Sequence, residues 1–339
     1  MSGEVELIEL LRERLAAAGV PAGERVMVGS GDDASVVRAE GAQAVSVDAL
    51  VDGVHFRRGT FPPAAIGAKA IAAALSDLAA MGARPGEAYV QLGLPEDLGE
   101  TEMLGIADGL GAGAARAGCA VAGGDVVRSP VLFLALTVVG YAETPERLLE
   151  RSGAVPGDVL LVTGELGGAA AGLLLLERPE LGAGLEPGIA EALRARQLEP
   201  TPRLAAGAVL AAAGASAMID VSDGLAADAG HLALASGVPI EVDAESVPAQ
   251  AGALLLATAA GEEGLTLVLG GGEDYELLAT VPPERLEAAR EAVGAHGLDS
   301  TVVGRVEAGE GLVLRGPSGS ALDVRGFDHL RLRARVAPT

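Results

Sequence analysis

Cysteine and large aromatic side chains are almost missing from this sequence, which has one Cys, no Trp, 3 Tyr and 4 Phe in 339 residues. One cysteine cannot form an intrachain disulfide, and the small and apolar neighbours of Cys119 predict a buried core residue. Hydrophobic residues make up 50% of the chain, so the core must be packed mainly from aliphatic side chains. This cysteine content is typical of a cytoplasmic protein.

Positive charge is also scarce, because 24 Lys and Arg residues face 47 Asp and Glu residues and the net charge is −23. A nucleic-acid-binding protein needs a basic surface to neutralise phosphates, so this class is excluded. Lys69 is the single lysine, and an anionic substrate must therefore be met by arginine or by metal ions. The first residues lack a signal-peptide pattern, and the Ala-rich stretch 64–83 is interrupted by Lys69 and Asp77. We therefore expect no membrane segment and a cytoplasmic location.

Several common catalytic motifs do not occur in the sequence. There is no Gly-x-x-x-x-Gly-Lys-Ser/Thr loop, no His-Arg-Asp and Asp-Phe-Gly set of protein kinases, and no Gly-x-Ser-x-Gly element. The 4 histidines are scattered without the spacing of zinc ligands. These absences exclude the common P-loop enzymes, protein kinases, zinc enzymes and serine hydrolases.

Segments typical of strands and helices alternate along the chain. In the first half, strands are predicted at 44–50, 88–94 and 131–139, and helices at 63–81 and 101–117. In the second half, predicted helices are interleaved with strands at 159–163, 218–221, 239–243 and 275–281. Turn formers collect at 151–158, so we place a domain boundary there, between domains 1–150 and 151–339. The alternation predicts an α/β protein with mixed sheets in both domains.

Acidic residues beside glycine or serine recur at the ends of the predicted strands. They lie in the segments 31–33 (Gly-Asp-Asp), 46–48 (Ser-Val-Asp), 76–77 (Ser-Asp), 123–125 (Gly-Gly-Asp), 220–224 (Asp-Val-Ser-Asp-Gly) and 271–274 (Gly-Gly-Glu-Asp). Strand alternation places Ser46 and Asp48 on one face, with Val45 and Val47 on the opposite face toward the core. An Asp beside Gly is first a turn signal, but recurrence of the pattern in both halves indicates a shared purpose.

Oxygen ligands at strand ends suit Mg²⁺, which takes one or two carboxylates per ion and keeps several waters. Without a cation, each close pair of carboxylates would cost roughly 4 kcal/mol at about 4 Å and an effective dielectric of about 20. Divalent ions would reverse this repulsion and attract phosphate groups. The pattern therefore predicts several Mg²⁺ ions, which would allow so acidic a chain to bind a phosphate-bearing substrate.

The ordered series of motifs resembles the thiamine-monophosphate kinase family over about residues 26–330. The matching segments are 31–34, 48–56, 75–82, 123–125, 151–158, 219–225, 271–277 and 326–329. The resemblance implies a two-domain fold shared with aminoimidazole ribonucleotide synthetase, selenophosphate synthetase and a hydrogenase-maturation protein. It also implies a homodimer formed by the N-terminal sheets, ATP in the groove between the domains, and ATP-dependent phosphorylation of thiamine monophosphate to thiamine diphosphate.

The resemblance assigns roles to individual residues. Metal ligands would be Asp33, Ser46, Val47, Asp48, Asp77, Asp125, Asp220 and Asp223, with Asp48, Asp125 and Asp220 as the catalytic carboxylates. Nucleotide contacts would come from Gly124, Asp125, Arg151 and Ser222, and thiamine contacts from His55, Glu273 and Phe327. Val47 and Val126 stand where the family usually has Thr, so Val47 would act through its carbonyl. Phe327 stands where Trp or Tyr is usual, which keeps stacking but removes a polar group.

The acceptor phosphate is already ionised near neutral pH, so the reaction needs little help from a general base. We therefore expect direct in-line transfer of the γ-phosphoryl group, with Mg²⁺ between donor and acceptor oxygens and Arg151 adding positive charge. No phospho-enzyme is required. Two alternatives stay open, namely an enzyme of the same superfamily with a different acceptor, and a non-catalytic nucleotide-binding regulator that keeps the fold.

Overall fold

The computed structural model describes residues 4–29, 34–309 and 311–327. The first half of the chain forms α1 (Glu4–Ala17), β1 (Val26–Val28), β2 (Val36–Val37), β3 (Ala42–Val51), α2 (Pro63–Ala80), β4 (Arg84–Leu94), α3 (Glu100–Ala117), β5 (Ala120–Arg128) and β6 (Phe133–Ala142). The second half forms β7 (Val159–Thr163), α4 (Gly168–Glu177), α5 (Pro187–Leu198), α6 (Leu204–Ala213), β8 (Ala217–Asp220), α7 (Leu225–Ser236), β9 (Ile240–Asp243), α8 (Ala253–Ala260), α9 (Gly264–Gly270), β10 (Leu277–Val281), α10 (Leu286–Gly294), β11 (Ser300–Val306) and β12 (Leu312–Arg315). The predicted α/β class with mixed sheets is confirmed.

The main differences from the predicted elements lie at their ends. The helix predicted to start at Pro200-Thr201-Pro202 begins at Leu204. The strand predicted from residue 275 begins at Leu277, because Glu273 and Tyr275 have φ angles of 69° and 52°, which an extended strand does not allow. The loop before β10 is thus a specific conformation that the Gly-Gly-Glu-Asp-Tyr sequence alone did not predict.

The first sheet has the strand order β3-β6-β4-β5. Strand β6 is antiparallel to β3 and β4, whereas β4 and β5 are parallel. Helix α2 lies against β3, β4 and β6, and α3 packs on α2. The two helices approach closely because a Cβ atom at Gly67 or Gly109 would overlap the backbone of the other helix.

Helix α2 is the element that joins the two halves of the chain. It begins with Pro63 at its first position, where the missing amide proton costs nothing, and continues through an Ala-rich sequence of high helix propensity. Its remaining surface contacts α6 and β8 from the second half. By length and composition alone α2 would be able to cross a membrane, as would the sharply bent pair of α8 and α9 taken as one span, but 83% of α2 is buried inside the protein.

The second sheet has the order β12-β9-β11-β7-β10-β8, in which neighbours are antiparallel except β12 and β9. Its strands alternate between two apolar cores. Leu160 and Val162 of β7 pack with residues of α7, whereas Leu161 packs with residues of α6 and α10. The sheet is therefore covered by helices on both faces, and the end of β8 lies beside α2.

The predicted orientation of β3 was wrong in one respect. Ser46 and Asp48 do share a face, but the face that carries Val45 and Val47 does not point to the core, since these two side chains are 59% and 70% exposed. The core side of β3 is instead the face of Ala44 and Leu50, which turns to α2. Alternation fixes which residues share a face, but it does not tell which face a second layer covers.

Candidate active site

Four oxygen-bearing side chains meet where α2, β3 and β8 come together. Ser46 and Asp48 lie on β3, Asp77 on the last turn of α2, and Asp220 at the end of β8. The Ser46 hydroxyl donates a hydrogen bond to the Asp77 carboxylate, and the Ser76 hydroxyl donates one to Oδ2 of Asp220 at 2.7 Å. We call Ser46, Asp48, Asp77 and Asp220 the carboxylate cluster. It combines residues from both halves of the chain.

The electrostatics of the carboxylate cluster favour a bound cation. Burial raises the pKa of Asp220 to about 7, the Asp77 carboxylate adds to the rise, and the Ser76 hydroxyl and Arg151 oppose it. Burial likewise raises the pKa of Asp77, against the hydrogen bond from Ser46, and Asp48 raises it further. Buried carboxylates that repel one another are the environment that a divalent cation relieves.

The oxygen donors of the carboxylate cluster fit Mg²⁺ by their chemistry, since the ion prefers carboxylate and hydroxyl oxygens. Arg151 lies close enough for its charge to lower the pKa of both Asp77 and Asp220. The main-chain oxygen of Arg151 accepts a hydrogen bond from Ser236 at 3.0 Å, which fixes this end of the turn-rich segment beside the cluster. A phosphate group held near Arg151 would therefore also be near the carboxylate cluster.

Asp125 and Val47, two residues of the predicted metal site, do not direct their side chains into the carboxylate cluster. Along β5, alternation puts Gly124 on the face of Asp48 and Asp125 on the opposite face, with Gln91 and Ala49. The exposed Asp125 carboxylate accepts the amide proton of Val126 at 2.9 Å. Asp125 is thus not part of the carboxylate cluster, and its predicted roles stay predictions. Asp33 lies outside the described residues, and Val47 presents only its backbone on the side of the cluster.

Ser222 and Asp223 form a turn directly after β8. Their amide groups donate to Oδ2 of Asp228 at 3.0 and 3.1 Å, so this buried carboxylate shapes the turn. Burial raises the pKa of Asp228 well above its ordinary value, and Asp220 and Asp223 add to the rise. Ligand atoms of Asp223, Asp228 and His231 lie within 4.8 Å of one another, an arrangement that acidic groups also form without an ion. Asp228 was not predicted from the sequence, because an Asp in the first turn of a helix is common.

The turn at Ser222 and Asp223 also holds the two segments predicted to bind thiamine. The amide of Glu273 donates to the carbonyl oxygen of Ser222 at 2.8 Å, and the amide of Phe327 donates to that of Asp223 at 2.9 Å. These approaches require glycine, because a Cβ atom at Gly272 or Gly326 would overlap the carbonyl oxygens of the turn. The Phe327 residue itself is 41% exposed.

His55 and Glu273 are brought together by Lys69, a residue for which the sequence pattern predicts no role in the site. The Lys69 ammonium group lies 2.7 Å from Oε1 of Glu273 and donates to the carbonyl oxygen of His55 at 3.2 Å. Nε2 of Gln197 donates to Oε2 of Glu273 at 2.8 Å. Nδ1 of His55 accepts the amide proton of Val51 at 3.1 Å. A lone lysine in an apolar helix was the only sequence signal for this arrangement.

Both halves of the chain match known proteins. Residues 31–142 match the family described as AIR synthase related protein, N-terminal domain, and residues 155–316 match its C-terminal domain. Thiamine-monophosphate kinase from Salmonella typhimurium is 39% identical over 332 residues, which cover 96% of this chain and 98% of that protein. The domain boundary predicted at 150 falls between the two matched ranges but is not itself tested by them.

Solved structures lead to the same family. The crystal structure of thiamine-monophosphate kinase from Stenotrophomonas maltophilia has a TM-score of 0.81 at 36% identity and covers 92% of this chain and 97% of its own. AaThiL complexed with AMPPCP and TMP has a TM-score of 0.75 at 34% identity and covers 96% of this chain and 97% of its own. With two matching domains and relatives that align over nearly the whole chain, this protein belongs to the thiamine-monophosphate kinase family.

Proposed function

We propose that this protein phosphorylates thiamine monophosphate with ATP, yielding thiamine diphosphate and ADP. The observation that carries the proposal is the carboxylate cluster, in which oxygen ligands from both halves meet beside Arg151. A relative that aligns over 96% of this chain is complexed with AMPPCP and TMP together. The same fold therefore accommodates a nucleotide analogue and the acceptor at once.

The carboxylate cluster is the proposed Mg²⁺ site. Asp48, Asp77 and Asp220 would hold the metal with the Ser46 hydroxyl, and Asp33, Asp223 and the Val47 carbonyl are proposed as further ligands. When bound, Mg²⁺ supplies positive charge that offsets the repulsion between these carboxylates and two phosphate-bearing substrates. The cluster has no role as a general base in this scheme, since the acceptor oxygen carries no proton that must be removed.

In the proposed reaction, an ionised oxygen of the thiamine monophosphate phosphate attacks the γ-phosphorus of ATP. A new P–O bond forms to that oxygen as the bond to the β-γ bridging oxygen breaks, and ADP leaves with the electron pair. Arg151 stabilises the negative charge on the nucleotide phosphates, and Gly124, Asp125 and Ser222 are proposed as nucleotide contacts. Direct transfer needs no covalent intermediate on the protein.

His55, Glu273 and Phe327 are proposed to bind the thiamine part of the acceptor. Phe327 offers an aromatic ring for stacking. A carboxylate at this position could balance the positive thiazolium ring or bond the aminopyrimidine, and the charge of Glu273 is already compensated by Lys69 at 2.7 Å. Its carboxylate is therefore better suited to accept a hydrogen bond from the substrate than to serve as an unpaired counter-ion.

We also propose that the protein is a cytoplasmic homodimer that pairs through the first sheet. The exposed valines of β3, Val45 and Val47, form an apolar face that a second copy would cover. The family resemblance implies a homodimer formed by the N-terminal sheets, and these valines lie on the face of β3 that the sequence pattern had assigned to the core. The dimer does not alter the proposed reaction scheme.

The proposed reaction is tested with an acceptor panel. Purified protein is given ATP and Mg²⁺ with thiamine monophosphate, free thiamine or no acceptor, and ADP and thiamine diphosphate are measured. We expect product only with the monophosphate, and a loss of at least about 100-fold in turnover for Asp77→Asn, which removes a proposed metal ligand. Asp108→Asn is the matched control, because Asp108 is exposed on α3 and pairs with Arg14 at 3.3 Å. Equal activity in both variants would refute the role of the cluster.

A further inference from the structure

Lys69 is the single lysine of the chain and its side chain is completely buried in the middle of α2. A buried ammonium group is costly unless it is paired, and nearby apolar residues such as Ile66, Ala70 and Ile71 would accept a methionine or leucine in its place. Burial lowers the pKa of Lys69, and the Glu273 carboxylate opposes that change. The charge therefore depends on Glu273, which lies in the other half of the chain.

The contacts of Lys69 connect two segments that the proposed function places at the thiamine end of the site. Nζ lies 2.7 Å from Oε1 of Glu273, 3.2 Å from the carbonyl oxygen of His55 and 5.2 Å from the centroid of the Phe61 ring. His55 follows β3 in the first half, and Glu273 precedes β10 in the second. One ammonium group thus fixes the distance between these two segments.

The backbone conformation of the loop at Glu273 requires contacts that hold the loop in place. Glu273 and Tyr275 both have positive φ angles, of 69° and 52°, a conformation that residues with a side chain adopt only when their surroundings impose it. The Glu273 carboxylate accepts from Gln197 on one oxygen and pairs with Lys69 on the other, while 25% of its side chain stays exposed. Its orientation toward the open side of the site is therefore set by two buried partners.

We propose that Lys69 is a positioning residue for the acceptor, which holds Glu273 and the His55 segment in the geometry that binds thiamine monophosphate. The inference rests on the proposed function for the identity of the substrate, but the contact between Lys69 and Glu273 can be tested without any substrate. Lys69 acts through Glu273 and touches neither the carboxylate cluster nor the nucleotide residues.

Because the chain has one lysine, protein labelled with ¹⁵N-lysine gives a single side-chain ammonium resonance, and this resonance reports on the contact between Lys69 and Glu273. We expect one ammonium signal at neutral pH that exchanges slowly with water, as a buried and paired group does. Glu273→Gln should shift this signal or broaden it beyond detection. A wild-type signal with the exchange rate of a free lysine side chain would overturn the proposal, whether or not the protein is active.

The kinetic test separates positioning from a general structural role. Lys69→Met should raise KM for thiamine monophosphate by about tenfold or more, because Glu273 loses its charged partner, with little change in KM for ATP. In the Glu273→Gln background, Lys69→Met should cause no further rise in KM for thiamine monophosphate. The double variant contains neither charge of the pair, so no unpaired buried charge opposes its folding. Additive effects in the double variant, or equal rises in both KM values, would overturn the proposal.

Ile71→Ala is the structural control, since it removes buried volume from the same helix and leaves the ion pair intact. It should lower the melting temperature and leave both KM values unchanged. A rise in KM for thiamine monophosphate in this variant equal to that of Lys69→Met would show that loosening of α2 is sufficient, and would overturn the specific role of Lys69. A wild-type protein without thiamine monophosphate turnover would instead refute the proposed function, while the ammonium signal would still decide the contact.

Discussion

Two consecutive residues of α2 make their hydrogen bonds in different directions. Ser76 donates to Asp220 on β8 of the second half, whereas Asp77 accepts from Ser46 on β3 of the first half. Ser76 is completely buried and Asp220 is 2% exposed, so neither group has water as an alternative partner. The Ser-Asp pair is therefore what aligns the ends of the two strands with each other.

Replacing Ser76 with Ala should destabilise the metal-free protein. The change leaves one oxygen of the buried Asp220 carboxylate without its donor, which costs about 1–3 kcal/mol in free energy of unfolding. Urea denaturation without divalent ions measures this loss. Ser152→Ala is the control, because Ser152 is exposed and its hydrogen bond to Glu150 is at the surface. If the two variants were equally stable, the contact between Ser76 and Asp220 would contribute nothing.

Asp274 provides a test of pH dependence at a single residue. Its carboxylate accepts from the amides of Gly167 and Ala169 at 2.6 and 3.0 Å, yet burial raises its pKa from 3.8 to about 6 despite these bonds and Arg196. The folded state therefore holds this proton more tightly than the unfolded chain does. The contribution to stability is complete below the unfolded pKa and is lost as the pH rises through about 6.

We expect the free energy of unfolding of the wild type, relative to Asp274→Asn, to fall by up to about 3 kcal/mol between pH 4 and pH 7. The asparagine removes the titration, and any hydrogen bond that it loses gives an offset that does not depend on pH. Chemical denaturation of both proteins across this range gives the difference at each pH. A constant difference would mean that Asp274 keeps an ordinary pKa in the folded protein.

At the scale of elements, β3 shows how much a sequence pattern can settle. The alternation of Ser46 and Asp48 against Val45 and Val47 predicted two faces correctly. It assigned the valines to the core, because a β-branched pair on a strand is usually buried. The structure covers the other face with α2, so the direction in which β3 is buried depends on a helix that follows it in the chain and that the strand pattern does not encode.

Val47→Lys tests the proposed dimer face, because Val47 is 70% exposed in the single chain. A charge on this face would be buried unpaired in a dimer, so the variant should be monomeric at concentrations where the wild type has the mass of a dimer. Light scattering after size exclusion measures both masses. Leu234→Lys should stay dimeric, because Leu234 is 81% exposed on α7 in the second half. A monomeric wild type would contradict the proposed assembly.

The candidate site was predictable to different degrees. Asp77 stood out in the sequence, since it interrupts an Ala-rich helical segment in which aspartate has a poor propensity. Lys69 and Gln197 were missed, because each gains its role from a contact with Glu273 that is distant in sequence, and no local pattern indicates such a contact. Asp125 was grouped with the cluster by its Gly-Gly-Asp motif, whereas its place on β5 puts its side chain on the other face of the sheet.

At the scale of the whole molecule, the two halves share one buried interface rather than a flexible linker. Helix α2 packs on the first sheet and on α6 and β8, and Gly207 of α6 allows the backbone of Ala79 to approach closely. Tyr275 of the second half is buried in the hydrophobic core of the first. The carboxylate cluster and the Lys69–Glu273 pair both span this interface, so the proposed metal and acceptor sites depend on the same packing of the two halves.

Single-turnover transfer of label from γ-³²P-ATP to thiamine monophosphate tests the central claim most directly. With Mg²⁺ present, we predict that the label passes into thiamine diphosphate, that no labelled protein is found at any time, and that removal of divalent ions with a chelator stops the transfer. Labelled protein that forms and decays before the product, or the absence of labelled thiamine diphosphate while ATP still binds, would contradict direct transfer between two substrates held at the interface of the two halves.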